Sequence, residues 1–500
     1  MLVGTIVYNR AMKQSYKETS CIADPRRAAQ REIRFPERRY AMIELSKKTN
    51  VLEQDTYKYS LQDVADPNLY REVFPYDEVP KVPFNFRHVP METPENIWIT
   101  DTTFRDGQQS LKPYSPEQIV EIYKMLSELS GPNGIVRQTE FFVYSKKDRE
   151  ALEKCMALGY KFPEITTWIR ANKNDFKLVR DIGIKETGIL VSCSDYHIFK
   201  KLGMTRQQAM THYLFVIHDA LEAGLVPRCH FEDITRADFY GFVVPFANAL
   251  MDLSRQSGIP VKIRACDTMG YGIPYPGASL PRSVPGIIYG LKHYSDVPSD
   301  MIEWHGHNDF YKGVTNATYA WLYGAGAVNC SLLGIGERTG NVPLEAMVFE
   351  YASIRGTLDG MDTKVITRIA DYYEKEIGYH IPPMTPFVGK HFNLTKAGIH
   401  ADGLLKDEEI YNIFDTKKIL DRPATVAISG NSGAAGIAYW INNYFDLPEN
   451  KRLDKRDPLV MRVKAVIDDE YANGRQTVMS DEELCSIAGS CDTDKVLGDL

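Results

Sequence analysis

The feature that most constrains this chain is a rhythm between about residues 97 and 355. Short β-rich runs alternate with stretches long enough for one helix each. The runs are Ile97–Thr102, Val136–Phe142, Glu164–Ile169, Glu186–Ser192, Val226–Glu232, Val261–Cys266, Met301–His305 and Ala327–Leu332. Eight such units in about 260 residues is the arithmetic of a (β/α)8 TIM barrel, an α/β fold of about 250 residues. A doubly wound open sheet is the alternative. It is weakened because no G-x-G-x-x-G follows the first run.

The rest of the chain frames this barrel. Its 500 residues, 44% hydrophobic and 25% charged, exclude collagenous, coiled-coil and disordered classes. No apolar run approaches ~18 residues, so no membrane-spanning helix is expected. A net charge of −7 gives no footprint for nucleic acid. Eight scattered cysteines without a C-x-x-C pair fit neither a zinc site nor a secreted disulfide framework. They point to buried thiols in a reducing cytoplasm.

Residues 1–41 hold nine Lys/Arg against four Asp/Glu and no apolar period, which predicts a poorly ordered leader. Met42 as the true start and an organellar transit peptide are the other readings of this stretch. Residues 42–96 end in a Pro-, Asp- and aromatic-rich stretch that reads as an extended N-terminal arm. The barrel is assigned to 97–355. Helical patterns at 363–380, 404–412, 432–445, 458–472 and 480–488 predict a helical lid and dimerisation region over 356–445 and a helical tail over 446–500.

Active sites of such barrels form at the C-terminal ends of the strands. Ionisable residues gather at those ends here: Arg105 and Asp106, Glu140, Arg170, His197, the Arg228-x-His230-x-Glu232-Asp233 series, Asp267, His305 and His307, and the Gly334–Asn341 loop. His305 and His307, two apart on an extended segment, point to the same side and can share one cation. Asp106 is the best candidate for a third ligand. Mixed N/O ligation suits Mn²⁺, Zn²⁺, Fe²⁺ or Co²⁺ better than Ca²⁺. The plainer reading is two hydrogen-bonding histidines.

The segments DTTFRDGQQ, HGHND, GIGERTGN and AGIHADG occur in this order. Together they resemble the metal-dependent Claisen-condensing branch of the pyruvate carboxyltransferase-like barrels, which includes 2-isopropylmalate, homocitrate and Re-face citrate synthases. The likeness spans roughly residues 95–440. It implies a divalent metal, Mn²⁺ first with Co²⁺, Mg²⁺ or Zn²⁺ as alternatives, on Asp106, His305 and His307. Asn341 would be a further ligand or a neighbour of the ligands. It also implies acetyl-CoA as co-substrate, Arg105 as the group that meets developing negative charge, and Glu232 in acid–base chemistry. His400 matches a histidine that relatives donate from a partner subunit, which implies a homodimer. Gln109, Glu140, Arg170, Arg228, His230 and Thr268 are the substrate-binding candidates. A barrel salt bridge for Glu232 and helix packing for His400 are the plainer readings.

Departures from the relatives narrow the resemblance. Arg228 matches an arginine used on a distal carboxylate, which favours a dicarboxylic oxo acid; a structural ion pair with Glu140 or Asp233 is the alternative. Trp168 and His230 replace smaller or more polar residues and shorten the expected pocket. This favours oxaloacetate over 2-oxoglutarate, unless Trp168 only fills the barrel. The long preamble and the GYGIPYPGASLPRSVPG insertion also look like the Re-face citrate synthase branch. The expected reaction is condensation of acetyl-CoA with oxaloacetate and hydrolysis to citrate and CoA. Homocitrate synthesis, then 2-isopropylmalate synthesis, are the rivals. A tyrosine that relatives place 20–30 residues after the trans histidine has no counterpart; Tyr411 lies nearer.

Overall fold

Eight parallel strands close on themselves in the order in which they occur in the chain. They are β1 (Trp98–Asp101), β2 (Val136–Phe141), β3 (Glu164–Ile169), β4 (Glu186–Ser192), β5 (Val226–Glu232), β6 (Lys262–Asp267), β7 (Ile302–Gly306) and β8 (Ala327–Cys330). β8 pairs in parallel with both β7 and β1, which completes the TIM barrel. Every strand lies within two residues of the run predicted for it. The computed structural model describes residues 43–45, 52–54 and 59–489. The expected leader at 1–41 and the last eleven residues of the tail lie outside these. Ile43–Leu45 and Leu52–Gln54 form an antiparallel pair of their own.

Local chemistry explains where the barrel helices begin. Pro116–Ser130, Lys146–Ala157 and Arg206–Glu222 each start at a Ser or Thr whose hydroxyl accepts from the backbone N–H three residues on. In each case that third residue returns a side-chain bond. The stretch 59–96 has almost no regular structure and runs over the loops that follow β4 and β6. Asn68 donates its backbone N–H to Asp195, and Ser279 donates to the Pro83 carbonyl. Beyond the barrel, Ala401, Leu404, Ile437, Trp440, Ile467 and Leu484 form a second apolar cluster. The helix expected over 404–412 lies earlier, at Gly398–Lys406, because Asp407 turns extended and ends it. No helix of the described residues is long and apolar enough to cross a membrane.

The inside of the barrel is unusual. Branched apolar layers normally fill it, but here the inward side chains are charged. Arg264 is fully buried and donates to Glu303 through Nε at 2.7 Å and Nη2 at 3.1 Å, and to Glu140 through Nη1 at 3.1 Å. Arg228 donates to Thr166 at 2.9 Å, to Glu140 and Gln138 at 3.3 Å, and to Glu303 at 3.4 Å. Removing one member of a buried ionic set strands the others without water, which costs about 3–5 kcal/mol. Arg264→Met is therefore expected to lower unfolding stability by about that amount, with Glu140 and Glu303 left facing each other. Equilibrium denaturation checks this; a loss below about 1 kcal/mol contradicts the ladder.

Candidate active site

Asp106, His305 and His307 meet at the C-terminal mouth, all buried, with one potential ligand atom from each inside a 4.8 Å span. His305 Nε2 is 3.5 Å from Asp106 Oδ2. The other ring nitrogen, Nδ1, is 2.7 Å from Asn329 Oδ1, and Asn329 in turn donates to Thr100 at 2.9 Å. That outer bond fixes the proton on Nδ1 and leaves Nε2 with a free lone pair toward Asp106. The two imidazoles lie 5.2 Å apart and nearly perpendicular. Burial pushes both below the ordinary histidine range, His307 to about 4. Burial alone would raise Asp106, but Arg105 and the two rings hold its carboxyl below the usual value.

Asn341 donates to Asp106 Oδ2 at 3.3 Å. Its Oδ1, like His307 Nδ1, is buried with no hydrogen-bond partner among the described residues. A buried polar atom without a partner is costly. Two of them beside two neutral imidazoles and a carboxylate make a donor set that fits a divalent cation of the transition series.

Arg105 stands next to this set. It pairs with Asp106 through Nη1 and donates to Glu140 Oε2 at 2.7 Å through Nε. Glu140 is buried; Arg264 and Arg105 outweigh that burial and keep it ionised well below the carboxylate range. His230 Nε2 lies 3.4 Å from Glu140 Oε1, and burial drives His230 to about 3. The Trp168 ring is 5.9 Å from the Arg105 guanidinium. Thr268 accepts from the Asp233 backbone N–H at 2.9 Å, on the rim after β6.

Other expected residues stand elsewhere. Arg228, assigned to a substrate carboxylate, sits one inward layer deeper than His230. It is 1% exposed, with Gln138, Glu140, Thr166 and Glu303 around its guanidinium. That is the structural ion pair, and a strand position two residues before His230 cannot reach the mouth. Arg170 is on the exposed rim, where Asp175 takes its fork at 3.0 and 3.1 Å. Gln109 is exposed on the short helix Gln108–Ser110. His400 is exposed, and its ring lies tilted against Tyr411 with the centroids 4.3 Å apart.

Glu232 ends β5 within a cluster that composition did not reveal. It accepts from Ser192, from Lys201 at 3.1 Å, and lies 2.9 Å from His197 Nδ1. Burial opposes ionisation, but His197, Ser192 and Lys201 bring Glu232 down to about 2, so it is an acceptor at neutral pH. Asn329 and Thr100 also escaped notice. Their signal is a polar side chain alternating inward on β8 and β1, in register with each other and, for Asn329, with His305.

Metal affinity follows from these ring states. Histidines lowered by burial stay neutral as pH falls past the ordinary value near 6.5, and protonation displaces the ion only near the lowered value. Binding of Mn²⁺ is expected to change by less than about threefold between pH 7.5 and 6, then collapse toward pH 4. Calorimetric titration across that range checks it; a steep fall already between pH 7.5 and 6 contradicts neutral ligands.

Comparison with known proteins gives the chain its relatives. Residues 96–372 match the family model described as HMGL-like. The chain is 60% identical to a citrate (Re)-synthase of Clostridium kluyveri, over 87% of this chain and 96% of that protein. It is 57% identical to a citrate (Re)-synthase of Syntrophus aciditrophicus, over 86% of this chain and 68% of that one. A 2-phosphinomethylmalate synthase of Streptomyces hygroscopicus is 37% identical over 85% of this chain and 96% of its own length. 2-Isopropylmalate and homocitrate synthases are more distant. The chain belongs to the HMGL-like family, in the group that joins the citrate (Re)-synthases with the 2-isopropylmalate and homocitrate synthases.

Proposed function

We propose that this chain is a citrate (Re)-synthase, an acyltransferase that condenses acetyl-CoA with oxaloacetate and hydrolyses the thioester to citrate and CoA. The observation that carries this reading is the buried Asp106–His305–His307 set beside Arg105, in a chain 60% identical to a protein of that name. Asp106, His305 and His307 would hold a divalent ion, Mn²⁺ in our reading. When bound, such an ion supplies Lewis acidity to the ketone of an oxo acid.

The chain's own groups do the rest. Arg105 is anchored by Asp106 and Glu140, so its charge is fixed before substrate arrives and meets negative charge developing at the enolate and alkoxide oxygens. Glu232, ionised, is suited to take a proton at a carboxylate oxygen; Lys201 and His197 beside it set the cost of that step. The buried mouth keeps water from the carbanion until the carbon bond has formed. Cys155, Cys193, Cys229, Cys266 and Cys330 are buried thiols, in keeping with a reducing cytoplasm.

We also assign His400 to the active site of a second copy. Exposed Ile399 (75%), Ile410 (53%) and Ile413 (95%) surround its helix, an apolar surface that a monomer leaves in water. Tyr411 takes the place of the missing tyrosine by lying tilted against the imidazole, and Gly403 makes room for its ring. A homodimer is the assembly this implies.

The substrate assignment is checked by CoA release from EDTA-treated, Mn²⁺-restored protein. Oxaloacetate is expected to turn over at least about tenfold faster than 2-oxoglutarate, with no activity before Mn²⁺ is added. Faster turnover of 2-oxoglutarate sinks the citrate reading in favour of homocitrate. The subunit assignment is checked by mixing inactive His305→Ala and His400→Ala proteins. Exchange of subunits should restore about a quarter of wild-type activity, because half the dimers then hold one complete site. No recovery, in a mixture whose subunits have exchanged, places His400 in its own chain's chemistry or outside it.

A further inference from the structure

The cations at the mouth are already engaged. Asp175 holds Arg170, Asp233 holds Arg236, Asp309 holds Arg338, and Glu232 holds Lys201. Arg105 is shared between Asp106 and Glu140. No free arginine fork among the described residues faces the pocket for a second substrate carboxylate, and Arg228 is locked below.

Neutral nitrogens remain. Trp168 Nε1 and His230 Nε2 are buried and have no hydrogen-bond partner among the described residues. The 3.4 Å from His230 Nε2 to Glu140 is long for a hydrogen bond. The His230 ring lies over Gly188 beside Glu140 Oε1. That glycine is the register partner of Trp168 on the neighbouring strand. A Cβ there would come within 2.5 Å of His230 Nε2, so its absence makes the space in which the imidazole lies. The Arg105 guanidinium stands 5.9 Å from the Trp168 ring and donates to Glu140, whose other oxygen borders the space beside His230 and whose charge Arg105 and Arg264 offset.

We propose that Trp168 Nε1–H and His230 bind the second carboxylate of the dicarboxylic oxo acid, in place of an arginine fork. This rests on the functional reading above. An indole N–H that burial leaves without an acceptor finds one in a carboxylate oxygen, and Arg105 balances the charge nearby. A donor to a charged acceptor contributes about 10- to 100-fold in affinity. The pair therefore decides between an oxo acid with a second carboxylate and one without.

The test is calorimetric titration of full-length, Mn²⁺-loaded protein with freshly prepared oxaloacetate and with pyruvate. The two share the 2-oxo carboxylate end and differ in the second carboxylate. Trp168→Phe keeps an aromatic ring and removes the N–H; His230→Phe removes the imidazole nitrogens and leaves Gly188 and Glu140 in place. In each, oxaloacetate affinity is expected to fall about tenfold or more while pyruvate affinity stays within about twofold. An unchanged ratio of the two affinities in both variants, with wild type preferring oxaloacetate, overturns this proposal alone. A wild-type protein with no preference for oxaloacetate overturns the functional reading and this proposal with it.

Discussion

Glu140 is the joint on which the rest depends. Its carboxylate, buried on β2, receives Arg105 from above and Arg264 and Arg228 from across the barrel. Through Arg105 it is tied to Asp106, and through Arg264 to Glu303 at the centre of the ladder. A charge in that position is tolerable only because three guanidinium groups face it. Those same guanidiniums would repel one another without it. Structure and chemistry thus share one ionic set. The side chains that fill the barrel also hold Arg105 beside Asp106, His305 and His307.

This arrangement has a consequence for recognition. Cations that look available in sequence are committed to partners in the fold, and the buried polar atoms left without a partner near the mouth are neutral: Trp168 Nε1, His230 Nε2, His307 Nδ1 and Asn341 Oδ1. Preorganised dipoles and one fixed arginine lose little on binding, because they need no rearrangement when charge develops. Glu232, by contrast, sits among groups that favour its ionised form. Those groups come from β4 and the turn after it rather than from its own strand.

Much of the fold was legible in the sequence. Strand runs bounded by helical stretches gave all eight barrel strands to within two residues, because period and length both distinguish them. The convergence of Asp106, His305 and His307 was legible too, since H-x-H on a strand end places both rings on one side and a strand-end aspartate lies at the same mouth. Arg228 was misplaced for a physical reason. Strand alternation says that it points inward but not how deep in the barrel its layer lies, and only the register against Gly188 and Lys262 decides that. Cross-barrel partners such as Glu303–Arg264, and the His197–Glu232 contact between neighbouring strand ends, are equally silent in one dimension. The helix at 398–406 began earlier than expected because its stop signal is the backbone turn at Asp407, not a glycine or proline.

On the proposed reading, His305 and His307, held neutral by burial, bind a divalent ion together with Asp106. Electron spin-echo spectroscopy of the Mn²⁺-loaded protein tests it most directly, because it detects imidazole nitrogen bound to the ion. Couplings from two histidine nitrogens are expected, falling to one in His305→Ala if any ion is retained. A Mn²⁺ spectrum with no imidazole coupling in the wild-type protein contradicts the account.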